Sequence, residues 1–216
     1  MNPPAPLLLA LDTSTSTASV ALFDGQRVLS ETTWQAGREH STRLLVEVDA
    51  ALERIGRTPS ELTGLVVARG PGSFTGVRVA LSVAKGMAAG LGIRAWGVST
   101  LDVLAHAAGE VELPVRAVLE AGRGRYATAL YVHGQSTQDA RLATLDDLKA
   151  LLDEPTLIIG ELTQEARNQL EQHPRARLAA VAACSRRAGY LAELGWRQIQ
   201  SGEPGDPRAL DALYVS

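Results

Sequence analysis

The stretch Leu65-Val66-Val67-Ala68-Arg69-Gly70-Pro71-Gly72-Ser73-Phe74-Thr75-Gly76-Val77-Arg78 contains, in order, a short apolar run, a turn and the start of a helix. Leu65 to Ala68 reads as a buried strand. Gly70, Pro71 and Gly72 break it, and Ser73 stands where a helix N-cap belongs. The helix then continues to Leu91, apolar nearly all round, with Lys85 the only charge between Arg78 and Arg94. Ala95 to Val98 supplies the next strand. Strand, crossover helix and strand in this order predict neighbouring parallel strands.

Upstream, Leu7 to Leu11 and Ala18 to Phe23 are strand-length apolar runs, the second ending in the turn dipeptide Asp24-Gly25. Val28 to Trp34 continues as a more polar outer strand. From Ser41 the period changes: Leu44, Leu45, Val48, Leu52 and Ile55 recur at helical spacing until Gly56 and Pro59 stop the helix. Leu101 to Ala108 adds a third helix. After a break at Gly109 to Pro114 part of this order recurs. Val115 to Glu120 and Tyr126 to Val132 read as a strand pair joined by Gly122-Arg123-Gly124-Arg125. A helix near Leu145 to Leu152, a strand at Leu157 to Ile159, and helices at Gln164 to Leu170 and Cys184 to Trp196 follow. The expectation is an α/β chain of two lobes, 1–108 and 109–216. Mixed sheets flanked by helices in a duplicated, ribonuclease-H-like, actin-like architecture fit the order, with the second lobe reduced.

Composition bounds the function classes. The 216 residues carry 21 basic and 24 acidic groups, a formal net charge of −3, so the chain lacks the positive field that would hold nucleic acid alone. Residues 109–216 carry all of the acidic excess. Cys184 is the only cysteine, which rules out an intrachain disulfide and points to a reducing cytoplasm. The N-terminus has no basic flank before its apolar run, which argues against a signal peptide. Val79 to Ile93 is too short for a membrane span of about 20 residues and carries Lys85 at its middle.

Three segments can carry chemistry. Asp12-Thr13-Ser14-Thr15-Ser16-Thr17 joins two strands; its hydroxyls and backbone N–H groups suit a phosphate, with Asp12 holding Mg²⁺ through water, or else they satisfy a hairpin turn internally. Gly72 and Ser73 open a helix flanked by Arg69 and Arg78, an anion site or a routine strand-to-helix turn, but not a P-loop, because no Gly-Lys-Ser/Thr follows. Along that helix Gly76, Ala80, Ala84, Ala88 and Gly92 recur every four residues, with Val77, Val83, Met87 and Leu91 flanking them. A smooth ridge lets another helix approach closely. An amphipathic surface helix should be apolar on one side only, so the excess apolar surface predicts a second buried face against a partner. The histidines at 40, 106, 133 and 173 have no metal-ligand spacing, and no Gly-x-Ser-x-Gly elbow occurs.

Asp12-Thr13-Ser14, Arg38-Glu39-His40-Ser41, Arg69 to Arg78 and Gly97-Val98-Ser99-Thr100-Leu101 resemble, in order and spacing, the TsaB family of bacterial tRNA threonylcarbamoyladenosine (t6A) biosynthesis. The likeness is strong over residues 7–108 and thin beyond. Glu120-Ala121-Gly122-Arg123 stands where the family has Asp-Ala-Arg, and Ala212-Leu213-Tyr214-Val215-Ser216 only loosely echoes the family's ending.

The resemblance implies an actin-like subunit without catalysis of its own, related to the catalytic TsaD subunit but lacking its histidine metal motif. TsaD transfers threonylcarbamoyl from an adenylate to N6 of adenosine 37 in tRNAs reading ANN codons. The subunit would pair with TsaD through two N-terminal helices, using Leu44, Leu45, Val48 and Leu52 on one and Gly76, Val77, Ala80, Val83, Ala84, Met87 and Ala88 on the other. The pair would recruit the small P-loop ATPase TsaE; alone, the subunit would form a homodimer through the same surface. tRNA would be reached only through the complex. No tightly bound cofactor or metal is expected; Asp12, Thr13, Ser14, Thr15, Gly72 and Ser73 would meet ATP or ADP with Mg²⁺ only at the partner junction. The competing reading is a free-standing ATPase or small-molecule kinase using the same turn. A metallopeptidase, a label attached to this wider superfamily, is disfavoured by the missing ligand pair.

Overall fold

β1 (Leu8–Asp12), β2 (Thr17–Phe23) and β3 (Val28–Gln35) form an antiparallel meander. Asp24 shapes its second turn: Oδ1 accepts the N–H groups of Gln26 and Arg27 at 2.9 and 2.8 Å. The computed structural model describes residues 5–37 and 40–215, without the side chains of His40 and Ser41. After α1 (His40–Arg54), the strand β4 (Gly64–Ala68) lies parallel to β1. α2 (Phe74–Leu91) leads to β5 (Arg94–Val98), parallel to β4. The sheet order is β3-β2-β1-β4-β5. Because alternate residues face opposite ways, Leu9, Leu11, Val20, Leu22, Leu65 and Val67 join α1 and α2 in one core.

The opposite face of this sheet is covered by α6 (Ala188–Gln200), from the far end of the chain. Leu191 and Ala192 are fully buried there, and a Cβ added to Gly195 would stand 2.3 Å from Val66 Cγ2, so only glycine permits this approach. α6 has no side-chain cap of its own. Glu31 of β3 supplies one: Oε1 accepts Gly189 N–H at 2.7 Å and Oε2 accepts Arg187 Nε–H at 2.7 Å. Past α6 the chain shields the edge strand β5. Ala95 N–H donates to Gly205 O at 3.1 Å and Trp96 Nε1–H to Glu203 O at 3.0 Å.

The second sheet repeats the order of the first. α3 (Thr100–Ala107) precedes β6 (Val115–Glu120), β7 (Arg125–Val132), β8 (Gln135–Ser136) and β9 (Arg141–Thr144). α4 (Leu145–Ala150), β10 (Thr156–Gly160), α5 (Gln164–Glu171) and β11 (Ala176–Leu178) complete it. The order is β11-β10-β6-β7-β8, with β9 also on β7; β6 has an antiparallel neighbour in β7 and a parallel one in β10, as β1 has in β2 and β4.

The compact units differ from a division at 108/109. One comprises the chain up to Ser99 together with Arg187–Leu213; the other comprises Thr100–Arg186 with the last three residues. α3 belongs to the second unit because Leu101 and Leu104 pack with Ala117 and Leu119, and the Tyr131 hydroxyl donates to Asp102 at 2.6 Å. Burial and the Asp102 charge push the Tyr131 pKa far up, so that hydroxyl remains a donor. The last helix starts at Ala188 rather than Cys184. Residues 181–184 form a 3₁₀ turn instead, while β8, β9 and β11 are too short to register as periodic segments.

Candidate functional site

The fold brings together two of the segments singled out in the sequence. Asp12, Thr13, Ser14 and Thr15 are all buried, at most 7% exposed. Thr13 Oγ1–H donates to Gly76 O at 2.6 Å, Ser73 N–H donates to Ser14 O at 2.6 Å, and Ser14 N–H donates to Asp12 Oδ1 at 2.7 Å. Thr15 Oγ1 accepts Thr17 N–H at 3.3 Å. The glycines make this contact possible. A Cβ at Gly76 would stand 2.1 Å from Thr13 O, and one at Gly72 would stand 2.2 Å from Ser14 O. Ser73 caps α2 as expected, its Oγ accepting Gly76 N–H at 3.3 Å. The β1–β2 turn is thus fastened to the first turn of α2. Asp12, Thr13, Ser14 and Thr15 are buried and bonded within the chain and as they stand do not fit a nucleotide phosphate, whereas Gly72 and Ser73 are exposed.

α2 presents two unlike faces. Gly76, Val77, Ala80, Ala84 and Ala88 are buried within this chain's own core, as are Leu44, Val48 and Leu52 of α1. The expectation that this ridge meets a partner is therefore corrected: small residues let α2 lie close on its own sheet. Of the expected contact set, only Leu45, Val83 and Met87 reach the outer surface. Beside Leu45, which is 47% exposed, that surface holds two residues the sequence reading passed over, Val46 at 63% and Phe74 at 57%. Phe74, Thr75, Arg78, Val79, Ser82 and Val83 line a shallow depression, where the Arg78 guanidinium stacks 3.6 Å from the Phe74 ring centroid. Thr75, Val79, Ser82 and Gly86 follow helical spacing, the pattern that could have revealed this stripe.

The turn joining β6 and β7 holds the corresponding place in the second sheet. It is exposed and bonded across itself, by Ala121 N–H to Arg125 O at 2.8 Å and Arg125 N–H to Gly122 O at 3.1 Å. Gly122, Arg123 and Gly124 all have positive φ (72°, 56° and 70°). Beyond it, Arg186 is fully buried and ion-paired with Glu161. Among the described residues no group of three metal-ligating side chains converges, and no helix is long and apolar enough to cross a membrane. Arg38 and Glu39 lie outside the described residues, as do the side chains of His40 and Ser41. Arg69 is half-buried with its stem beside Gly97, while Arg94 is exposed.

Residues 31–187 match the family model described as TsaD: tRNA N6-adenosine threonylcarbamoyltransferase. The tRNA threonylcarbamoyladenosine biosynthesis protein TsaB of Bacillus subtilis is 32% identical over 171 residues, 76% of this chain and 75% of that protein. A crystal structure from Pseudomonas aeruginosa, described as an uncharacterized protein with similarity to peptidase YeaZ, superposes with a TM-score of 0.81 at 27% identity. It covers 98% of this chain and all of that one. The ROK hexokinase of Thermus thermophilus, 12% identical with a TM-score of 0.51 over 91% of this chain and all of that one, shares the fold alone. Aligned along three quarters of both lengths, the Bacillus subtilis relative shows that this chain belongs to the TsaB family of tRNA threonylcarbamoyladenosine biosynthesis proteins.

Proposed function

We propose that this chain is the non-catalytic partner subunit of a t6A-forming complex, pairing with a catalytic threonylcarbamoyltransferase of the TsaD type through the outward faces of α1 and α2. The observation that carries this reading is the cluster of Leu45, Val46 and Phe74 on one side of the first unit, exposed beside half-buried Val79, Val83 and Met87. Large apolar side chains grouped on adjacent helices are the usual mark of a protein contact. Pairing there would activate the transferase toward adenosine 37 of tRNAs reading ANN codons, with a small P-loop ATPase of the TsaE type recruited by the pair. The acidic balance of the chain supports tRNA being held by the complex, in the cytoplasm, rather than by this subunit alone.

The burial of Asp12, Thr13, Ser14 and Thr15 weighs against a free-standing kinase. In this reading ATP or ADP with Mg²⁺ belongs to the partner junction, and calorimetry of the isolated chain with ATP and Mg²⁺ gives no binding heat. Reconstitution tests the whole: tRNA, threonylcarbamoyl donor, transferase and ATPase, with and without this chain. Full t6A formation in its absence overturns the reading.

A further inference from the structure

The apolar run that forms β6 carries an arginine in its interior. Arg116 stands opposite Leu130 of β7 and Ile158 of β10, so it shares the sheet face of Val118 and lies under α4, where Val118, Ile158, Leu148 and Leu152 form a core. It is 2% exposed. Among the described residues one other arginine is buried as deeply, Arg186, and that one is ion-paired with Glu161. Arg116 has no such partner among the described residues. Its Nη2–H donates to Leu151 O at 3.4 Å, long for such a bond, and its buried Nε–H has no acceptor.

Two exposed arginines reach the same end of α4 from opposite sides of the sheet. Arg175, just before β11, donates from Nη1–H to the next carbonyl, Leu152 O, at 3.1 Å. Arg141 of β9 stands opposite Thr128, on the sheet face that Val118 occupies. Burial first, and then the Arg141 charge, lowers the Arg116 pKa, while Asp153 raises it. Asp147, whose carboxyl also feels Arg141, is held by the Thr144 N–H and hydroxyl at 2.8 and 2.7 Å. Lys149 is drawn away to Gln169 at 2.7 Å and Asp146 at 3.5 Å.

Capping the last carbonyls of a helix does not require a buried charge, since Arg175 does it from the surface. A guanidinium taken out of water without a counter-ion is unfavourable. The vacant Nε–H, with an exposed arginine on either side, suits an oxyanion that accepts from several guanidinium donors at once. We infer that the end of α4 is a binding site for the terminal phosphate group of a small soluble molecule, with Arg116 as its floor and Arg141 and Arg175 as its arms. A terminal phosphate offers three oxygens to donors arriving from three sides. A phosphodiester carries chain on two of its oxygens, and a carboxylate has only two in one plane. The site lies wholly within the second unit and does not depend on the pairing face proposed above.

Phosphate stabilises proteins in general by exclusion from their surface, so the experiment compares variants in the same buffers. Equilibrium dialysis of the full chain against labelled inorganic phosphate, at fixed ionic strength in sodium chloride, gives one bound phosphate per chain. R116M and, separately, R141Q/R175Q each weaken that binding about tenfold or more. Urea unfolding of the unmodified chain and of R116M is then measured in chloride and in phosphate of equal ionic strength. The gap between their midpoints moves in favour of the unmodified chain in phosphate, because only that chain binds the ion. No bound phosphate, binding unchanged in either variant, or a midpoint gap equal in the two salts overturns the inference, the last by assigning Arg116 to the capping of α4 alone. Arg141 and Arg175 are exposed, so R141Q/R175Q keeps the fold and its dialysis result decides the matter if R116M does not fold.

Discussion

The turn between β1 and β2 and the turn between β6 and β7 hold the same position in two sheets of the same strand order, yet they are built oppositely. The first is buried and fastened to α2 by Thr13 and Ser14; the second is exposed, with three successive left-handed residues and, among the described residues, only its own cross-turn bonds. Here the Thr13 hydroxyl donates to α2 and the Ser14 carbonyl accepts from it, whereas the second turn has glycine and arginine at its tip. The same contrast runs across α2, whose inner small residues touch this chain's sheet while its outer ones face outward.

Gly76→Ala gives the largest expected effect. Alanine favours helix, but its Cβ would stand 2.1 Å from Thr13 O. The backbone must shift, so unfolding in urea should show a loss of about 4 kcal/mol or more. Gly122→Ala, with open space around its Cβ, should cost only about 1 kcal/mol for its positive φ. Equal losses at the two sites would erase the contrast between the turns.

The faces of α2 and α1 can be compared next. Ala84 is fully buried, so Ala84→Arg places an unpaired charge in the core and should cost about 3 kcal/mol or more. Val46→Glu, on the outward face, should change stability by less than about 0.5 kcal/mol while weakening association with the transferase. A folded, stable Ala84→Arg protein would reverse the assignment of the faces.

Thr13→Val removes the hydroxyl that donates to Gly76 O and should cost about 1 to 2 kcal/mol, with faster amide exchange in the first turn of α2. Unchanged exchange there would mean that the turn is not held by this bond.

The smallest effect is a pH effect in the second unit. The backbone N–H of Thr144 and then its hydroxyl, both donating to Asp147, hold that carboxyl below its ordinary value of 3.8. A lowered folded pKa adds stability above the unfolded pKa and loses it as pH falls through the folded one. Amide exchange in α4 should therefore rise below about pH 4, and Asp147→Asn should flatten that rise. A rise of equal size in the variant would assign the acid sensitivity to other groups.

Local features were legible where chemistry acts over a few residues. Ser73 as N-cap and the Asp24 turn both follow from nearest-neighbour hydrogen bonds. α2 falls on Phe74 to Leu91 as its composition predicts. The inward ridge was misassigned because a helix apolar nearly all round has only the faint stripe of Thr75, Ser82 and Gly86 to orient it, and burial by its own sheet and burial by a partner look alike. The Glu31 cap on α6 was invisible because 156 residues separate Glu31 from Arg187.

From sequence alone came the element order, the two repeats, the turn chemistry and the family likeness, since each rests on residues close together in the chain. Tertiary structure decided three things: that α6 returns to close the first unit, that Thr13 and Ser14 bond to α2, and that Leu45, Val46 and Phe74 rather than the alanine ridge face outward. The reason is physical. A side chain's propensity is set by its neighbours along the backbone, whereas burial is set by whatever distant surface leaves least apolar area in water.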